Sequence, residues 1–269
     1  MVQIQIVSDL HLEFREMNFT NLIIPSAPIL CLLGDICACG TTSDFDIFKK
    51  FIAYISKKFM YVIHVPGNHE YYTMGNNNIT YSDTIPGIDK KIKDFFKSFN
   101  NVFFLNNNRI SINLNNRKYV FIGSTLWSNI IKTDRNKVQK LMNDYSYIYM
   151  PDKNSSEGVR KYNVEDMSKL HKNSVRYIKK NIDIIKDDET CILLTHHKPV
   201  RDKPLSDKLS QAYETDLTNI IIKKPVKLAA HGHTHIKYDK IVNDVRIVSN
   251  PKGYINQKTL YNNKGIYDI

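Results

Sequence analysis

A chain of 269 residues, 42% of them hydrophobic and 24% charged, has enough apolar surface to bury a sizeable core, which excludes a disordered or low-complexity protein. Its formal net charge of +11 points to anionic partners, phosphate-bearing ligands first, although the lysines are scattered over amphipathic segments and form no dense tract. No apolar run approaches the roughly 18 residues that a membrane span needs, and Met1 leads into an alternating segment without a basic leader. A cytoplasmic protein with no membrane association is therefore predicted. Cys31, Cys37 and Cys39 crowd together while Cys191 stands apart, which makes no disulfide framework; Cys37-x-Cys39 lacks the partners of a zinc site, so free thiols are expected.

In chain order, residues 2–7 read as a strand ending at Ser8-Asp9-Leu10-His11, where alternation along an extended chain would point Asp9 and His11 the same way. The apolar run 29–33 ends at Gly34-Asp35. Ser43 with Asp46 reads as a capping box opening a helix over 44–58, with Phe45, Phe48, Phe51, Ile52 and Ile55 as its packed stripe. A strand over 61–65 leads to Pro66-Gly67-Asn68-His69-Glu70, where Gly67 permits a tight turn; His64, inside the strand, reads as a packed structural residue. Residues 71–87 read as a loop punctuated by Gly75 and Pro86, and 88–99 as a short helix. Strands over 102–105, 109–114 and 118–123 follow so closely, across Asn-rich turns, that hairpins are required and the sheets cannot be purely parallel.

From 124 to 163 periodicity fades, the profile of a lid or binding loop, and Tyr145, Tyr147 and Tyr149 suggest either a stacking surface or an exposed strand edge. A helix resumes near Asn163 with an apolar stripe from Met167 to Ile185. The strand 190–194 ends at Thr195-His196-His197-Lys198, and a helical segment around 211–223 carries Leu217, Ile220, Ile221 and Ile222. Strand 226–230 delivers His231-Gly232-His233-Thr234-His235; a hairpin turned at Asn243-Asp244 and Asn250-Pro251-Lys252-Gly253-Tyr254 complete the chain. With no linker and no repeat, one domain over residues 1–269 is expected, with the lid or insert around 124–163.

A His-x-His pair alone is a weak metal signal. Here five strand termini carry Asp9 with His11, Asp35, Asn68 with His69, His196 with His197, and His233 with His235. In α/β sheets, ligands bind at the carboxyl ends of strands, so these donors gather in space, and their oxygens and imidazoles suit divalent manganese, iron, zinc, nickel or cobalt. The set Asp9-Leu10-His11, Gly34-Asp35, Gly67-Asn68-His69-Glu70, His196 and Gly232-His233-Thr234-His235 resembles the calcineurin-like metallophosphoesterase superfamily over nearly the whole chain, and the ending Asn250-Pro251-Lys252-Gly253-Tyr254 resembles its small bacterial-type branch.

That resemblance implies an α/β fold, a four-layer αββα sandwich of two facing mixed β-sheets flanked by helices. It also implies two divalent cations, manganese first: one on Asp9, His11, Asp35 and His235, the other on Asp35, Asn68, His196 and His233. The activity implied is hydrolysis of a phosphomonoester or phosphodiester, nucleotide or nucleic-acid-like on charge, by attack of metal-bound hydroxide. His69 takes the catalytic role, at the leaving group or the crowded charge. The sequence departs from the protein phosphatases of this superfamily, with Ala38 and Cys39 where they carry an acid and an arginine, so a protein phosphatase is disfavoured and the group that orients His69 is not identified. Close similarity to the nuclease branch that processes DNA ends is not expected, since no DNA-capping domain is read after the last motif. Tyr71, Tyr72, Trp127 and Lys198 are candidate substrate contacts. No protein partner is inferable. The other classes weighed are a catalytically silent scaffold on the same fold, which typically loses ligands retained here, and a basic nucleic-acid-binding protein, whose binding would be metal-independent and steeply salt-dependent.

Overall fold

The computed structural model describes residues 2–15, 18–76, 78–201, 209–222 and 226–269. Strands β1 (Gln3–Val7), β2 (Ile29–Leu33), β3 (Tyr61–Val65) and β4 (Val102–Phe104) run parallel, with α1 (Thr42–Ile55) crossing from β2 to β3 and α2 (Ile85–Phe96) from β3 to β4. The strands are apolar at nearly every position because the sheet is covered on both faces. In β2, Ile29, Cys31 and Leu33 enter one core while Leu30 and Leu32 enter another.

Strands β5 (Asn108–Leu114) and β6 (Arg117–Ser124) form a hairpin whose turn residues, Asn115 and Asn116, both have positive φ (51° and 57°), as a two-residue turn matched to strand twist requires. Then come α3 (Arg135–Leu141), α4 (Asp144–Tyr147), the pair β7 (Tyr149–Pro151) and β8 (Val159–Lys161), α5 (Val164–Ile182), β9 (Glu189–Thr195), α6 (Thr218–Ile221) and β10 (Val226–His231). A second hairpin, β11 (Tyr238–Val242) and β12 (Val245–Ser249), turns at Asn243 and Asp244, and β13 (Ile266–Asp268) closes the chain by pairing antiparallel to β1.

Among the described residues the two large sheets have the orders β13-β1-β2-β3-β4 and β11-β12-β10-β9-β6-β5, parallel inside with antiparallel strands at β13, β11 and β5. Ile4, Ile6, Leu33 and Val65 of the first sheet meet Phe121, Leu194, Leu228 and Val248 of the second in a shared core. Helices α1 and α2 cover the outer face of the first sheet, and α5 and α6 that of the second, which makes the predicted four-layer sandwich of two mixed sheets flanked by helices. Phe48, Phe51, Ile52 and Ile55 of α1 are fully buried, each side chain contributing about 2 kcal/mol or more by leaving water.

Helix boundaries differ from the sequence reading where a capping residue outweighs periodicity. Thr41, not Ser43, caps α1: its hydroxyl accepts from the Asp44 backbone N–H at 3.2 Å and donates to the Asp44 carboxylate at 2.6 Å. Helix α2 starts at Ile85, three residues early, because Thr84 caps it and Pro86, read as loop punctuation, sits in the first turn where a missing N–H costs nothing. Within the helical segment expected around 211–223 the described residues form a 3-10 turn, Ser210–Ala212, and the short helix Thr218–Ile221, and Lys223 lies outside the described residues.

Residues 124–163 are more than a surface excursion. They fold as α3, α4, β7 and β8, and bury Trp127, Ile130, Val138, Tyr145, Ile148 and Tyr162 in the core beside the first sheet. Their elements are too short to show periodicity. Tyr145 stacks on Tyr162 inside, whereas Tyr147 tilts against Tyr72, so the alternating tyrosines share no common stacking face.

Candidate metal centre

The carboxyl ends of β1, β2, β3, β9 and β10 open on the same side and deliver the five motifs to one place. Within the first motif the cause of convergence differs from the alternation expected of an extended chain. Asp9 and His11 both lie in the left-handed region (φ 55° and 47°), as do Asp35, His233 and His235 (φ 52°, 65° and 52°). Left-handed turns fold each loop back over its strand end, where alternation would have carried it onward. Gly67 also acts otherwise than expected. A Cβ there would fall 2.1 Å from Asp35 Oδ1 and 2.7 Å from the His196 ring, so its role is close approach; the positive φ belongs to Gly34, at 82°.

Asp9, His11, Asp35 and His235 form one group of candidate ligands, and Asp35, His196 and His233 another, each with one ligand atom per residue within 4.8 Å of the rest. Asn68 joins the second group through Oδ1, 3.1 Å from His196 Nε2; its Nδ2 donates to Asp144 at 2.8 Å, which turns the amide oxygen inward. Asp35 is shared. Its Oδ1 lies 3.3 Å from His196 Nε2 and its Oδ2 3.9 Å from His11 Nε2, so the two oxygens face separate groups.

The donor set fits cations. His11 Nε2 and His235 Nε2 approach to 3.1 Å, as do His196 Nε2 and His233 Nδ1, leaving imidazole lone pairs directed at each other in a buried place. Asp9 Oδ2 and His233 Nε2 are buried without a hydrogen-bond partner. Two buried carboxylates and four imidazoles in this arrangement are costly unless positive charge completes them. Burial would raise the Asp35 carboxyl, but the facing charges of His196 and His69 hold it well below the usual carboxylate range.

His69 stands beside these groups. Its Nδ1 donates to Glu13 Oε1 at 2.9 Å and its Nε2 lies 3.2 Å from the Tyr254 hydroxyl. Burial alone would lower its pKa; the charge of Asp35, then the bond and charge of Glu13, raise it to about 9. Glu13 is correspondingly held down at about 2, its burial outweighed by hydrogen bonds from His11 and His69. Glu13 is thus the acid that orients His69, missed in the sequence because it sits in the first motif, two residues beyond His11 on a 3-10 turn, Leu12–Phe14. Behind the site, Glu70 Oε2 accepts from the backbone N–H groups of Asp35 (2.9 Å) and Gly67 (2.7 Å), and Oε1 from Ile36 (2.9 Å), tying the second and third motifs together. Burial and the charge of Asp35 push Glu70 up to about 8.

A cavity of about 690 Å³ opens over the centre, lined by Asp35, Asn68, His69, His233 and His235 and walled by Leu141, Met142, Tyr213, Ile236 and Tyr254. Of the candidate substrate contacts, Tyr72 and Lys198 line it. The Tyr72 ring stacks on His69 at 4.1 Å, and Lys198 Nζ lies 3.5 Å from Glu214. Tyr71 and Trp127 do not line it. Tyr71 is fully buried with its hydroxyl donating to Asp89, and Trp127 packs between Tyr71, Tyr162 and His197. His197 lies outside both ligand groups, its ring against His233 and its Nδ1 toward the Thr125 carbonyl. His231 is buried and turned to the Gly232 carbonyl, and burial lowers it to about 4. His64 is packed among Phe48, Phe96 and Phe104 and pushed down to about 3 by burial. No helix among the described residues is long and apolar enough to cross a membrane.

A protein of Acanthamoeba polyphaga mimivirus, itself named only as uncharacterized, is 31% identical over 289 residues, spanning 98% of this chain and 95% of its own. Among solved structures, a phosphopantetheinyl hydrolase of Mycobacterium tuberculosis superposes with a TM-score of 0.69 at 16% identity, over 94% of this chain and 89% of that one. A protein of Plasmodium described as the anchor in the inner membrane complex superposes with a TM-score of 0.50 at 12% identity, over 96% of this chain and 74% of that one. These structural likenesses, at such identities, establish a common fold. Residues 2–237 match the calcineurin-like phosphoesterase family, and with the ligand groups assembled at the strand ends, the chain belongs to that family.

Proposed function

We propose that the chain is a dinuclear metal-dependent phosphohydrolase acting on a phosphomonoester or phosphodiester. The observation that carries this reading is Asp35: its two oxygens face separate ligand groups in a cavity that also holds His69. Asp9, His11, Asp35 and His235 would hold one cation, and Asp35, Asn68, His196 and His233 the other, manganese being the first candidate for a mixed oxygen and imidazole set. When bound, such cations supply neutralisation of the phosphoryl oxygens and activation of a water for attack at phosphorus.

The chain's own residues do the rest. Glu13 holds His69 by Nδ1, so that the ring keeps one orientation with a proton on that nitrogen. Asp144 fixes the Asn68 amide, and Glu70 fixes the backbone under Asp35. The cavity is larger than a phosphate needs, and Leu141, Met142 and Asn143 give residues 124–163 a substrate-facing wall against the organic part of the ester. With a net charge of +11, nucleotide or nucleic-acid esters are the favoured class.

The test is to strip the purified protein of metal, restore manganese and compare a chromogenic phosphomonoester with a phosphodiester. Hydrolysis of either is the expected result. Silence toward both with manganese, nickel, cobalt, iron and zinc in turn would remove the enzyme reading and leave the scaffold.

A further inference from the structure

Both ring nitrogens of His69 are engaged. Glu13 takes Nδ1 at 2.9 Å, and because a carboxylate only accepts, Nδ1 carries a proton. On the other side, Nε2 meets the Tyr254 hydroxyl at 3.2 Å, donating to its oxygen when the ring is charged and accepting from it when the ring is neutral. Neither state leaves a ring nitrogen free for a substrate. The polar atom that follows His69 in the line from Glu13 is the Tyr254 oxygen, and Tyr254 lines the cavity beside His69.

Tyr254 is built in. Its ring stacks on His11 at 4.3 Å and meets His235 edge-on at 4.8 Å. Its backbone N–H donates to Gln257 Oε1 at 3.1 Å, and the same oxygen lies 2.7 Å from His235 Nδ1. Lys252 and Gly253 N–H groups donate to the carbonyls of Ser8 and Asp9, at 3.0 and 2.9 Å, and Arg15 bonds the Gly253 carbonyl. The loop bearing Tyr254 is therefore fastened to the first motif, and Tyr254, 43% exposed, lays its ring across His11 with its hydroxyl toward His69.

We infer that Tyr254 is a catalytic residue, the hydroxyl that hands the leaving oxygen its proton, with His69 resupplying it. This rests on the phosphoesterase reading. In the step, the bond from phosphorus to the leaving oxygen breaks as a bond from phosphorus to a water oxygen forms. The leaving oxygen keeps the bonding pair and takes the Tyr254 proton, and the Tyr254 oxygen takes the Nε2 proton. His69 is left neutral with Nδ1–H on Glu13, and the proton given up by the attacking water makes good the one spent.

The experiment compares wild type with Tyr254→Phe, both loaded with manganese, on a series of phosphate esters running from nitrophenyl to alkyl leaving groups, with bound manganese measured in each. The phenyl ring preserves the packing on His11, so metal content is expected to be unchanged. Turnover of the alkyl ester is expected to fall about 100-fold, as loss of a general acid does, and the loss to shrink steadily as the leaving group becomes more acidic. A loss equal across the series, no loss at all, or loss of metal would each overturn the role of Tyr254. Wild-type turnover on the same esters reads the phosphoesterase function separately: an inert wild type removes both readings, whereas an active wild type with a flat Tyr254→Phe loss removes only this one.

Discussion

Glu13→Gln isolates what the acid does for His69, since it keeps the shape and removes the charge. Raising the His69 ring from 6.5 to about 9 favours its charged form by about 3 kcal/mol. Burial opposes that gain; Asp35 is its largest source, and the bond and charge of Glu13 come next. Losing Glu13 leaves Asp35 in place, so the ring should titrate about 1–2 pH units lower, not return to 6.5. The sign of the stability effect follows from linkage. A raised histidine stabilises the fold fully below 6.5 and loses that contribution as pH climbs through 9. Glu13, lowered from 4.5 to about 2, contributes above 4.5 and loses its share as pH falls through 2. The pair is thus complete between 4.5 and 6.5. Metal-stripped wild type and Glu13→Gln would be compared by NMR titration of the His69 ring and by thermal unfolding from pH 5 to 9. The variant should show a lower titration midpoint and a shallower loss of stability toward pH 9. A ring that titrates at the same pH in both proteins would refute the partnership.

Two further outcomes check other steps. His69→Ala, restored with manganese, should keep the metal and lose about 100-fold or more in turnover, since the proton path from Glu13 to Tyr254 is cut, and metal analysis beside the rate assay would expose His69 as a ligand if manganese went with it. Thr41→Ala should cost about 1 kcal/mol in denaturant unfolding and Ser43→Ala close to nothing; equal costs would mean the α1 cap is misplaced.

How much was legible in the sequence depended on whether the information was local. The strand termini were, because a buried strand is a continuous apolar run and the polar residue that ends it is plain: Leu33 gives way to Gly34-Asp35, and Val65 to Pro66-Gly67-Asn68. The order of those termini then carried the family and, through it, the layers. Helix α2 was misplaced by three residues because Pro86 is ambiguous by itself; only Thr84 ahead of it separates a first turn from a loop. Tyr71 and Trp127 read as substrate contacts because they are large polar side chains near the motifs, yet they point into the core, which no neighbouring residue announces. Glu13, Asp144, Tyr254 and Gln257 act through contacts spanning 56, 76, 185 and 22 residues of chain, and nothing periodic marks them.

The left-handed candidate ligands connect these observations. Asp9, His11, Asp35, His233 and His235 each hold a backbone conformation that costs on the order of 1 kcal/mol or more for a residue with a side chain, together a sum comparable with the net stability of a domain. Such residues persist only where the surroundings determine them several times over. Here those surroundings are the N–H groups that Glu70 gathers under Asp35 and Gly67, the Asp9 carboxylate accepting from His233 N–H at 2.9 Å, and the Asp9 carbonyl bonded by Gly253. Three of the five motifs are therefore held from elsewhere in the chain: the first by the last loop, the second by the third, and the fifth by the first. The strain is spent on convergence, since extended loops would carry Asp9 and His11 away from β10, and it is the same bonding that brings Tyr254 to His69. Mutations in the supporting bonds should then act on cation binding before they act on the fold, because the sheets beneath are closed by the shared core independently of the loops.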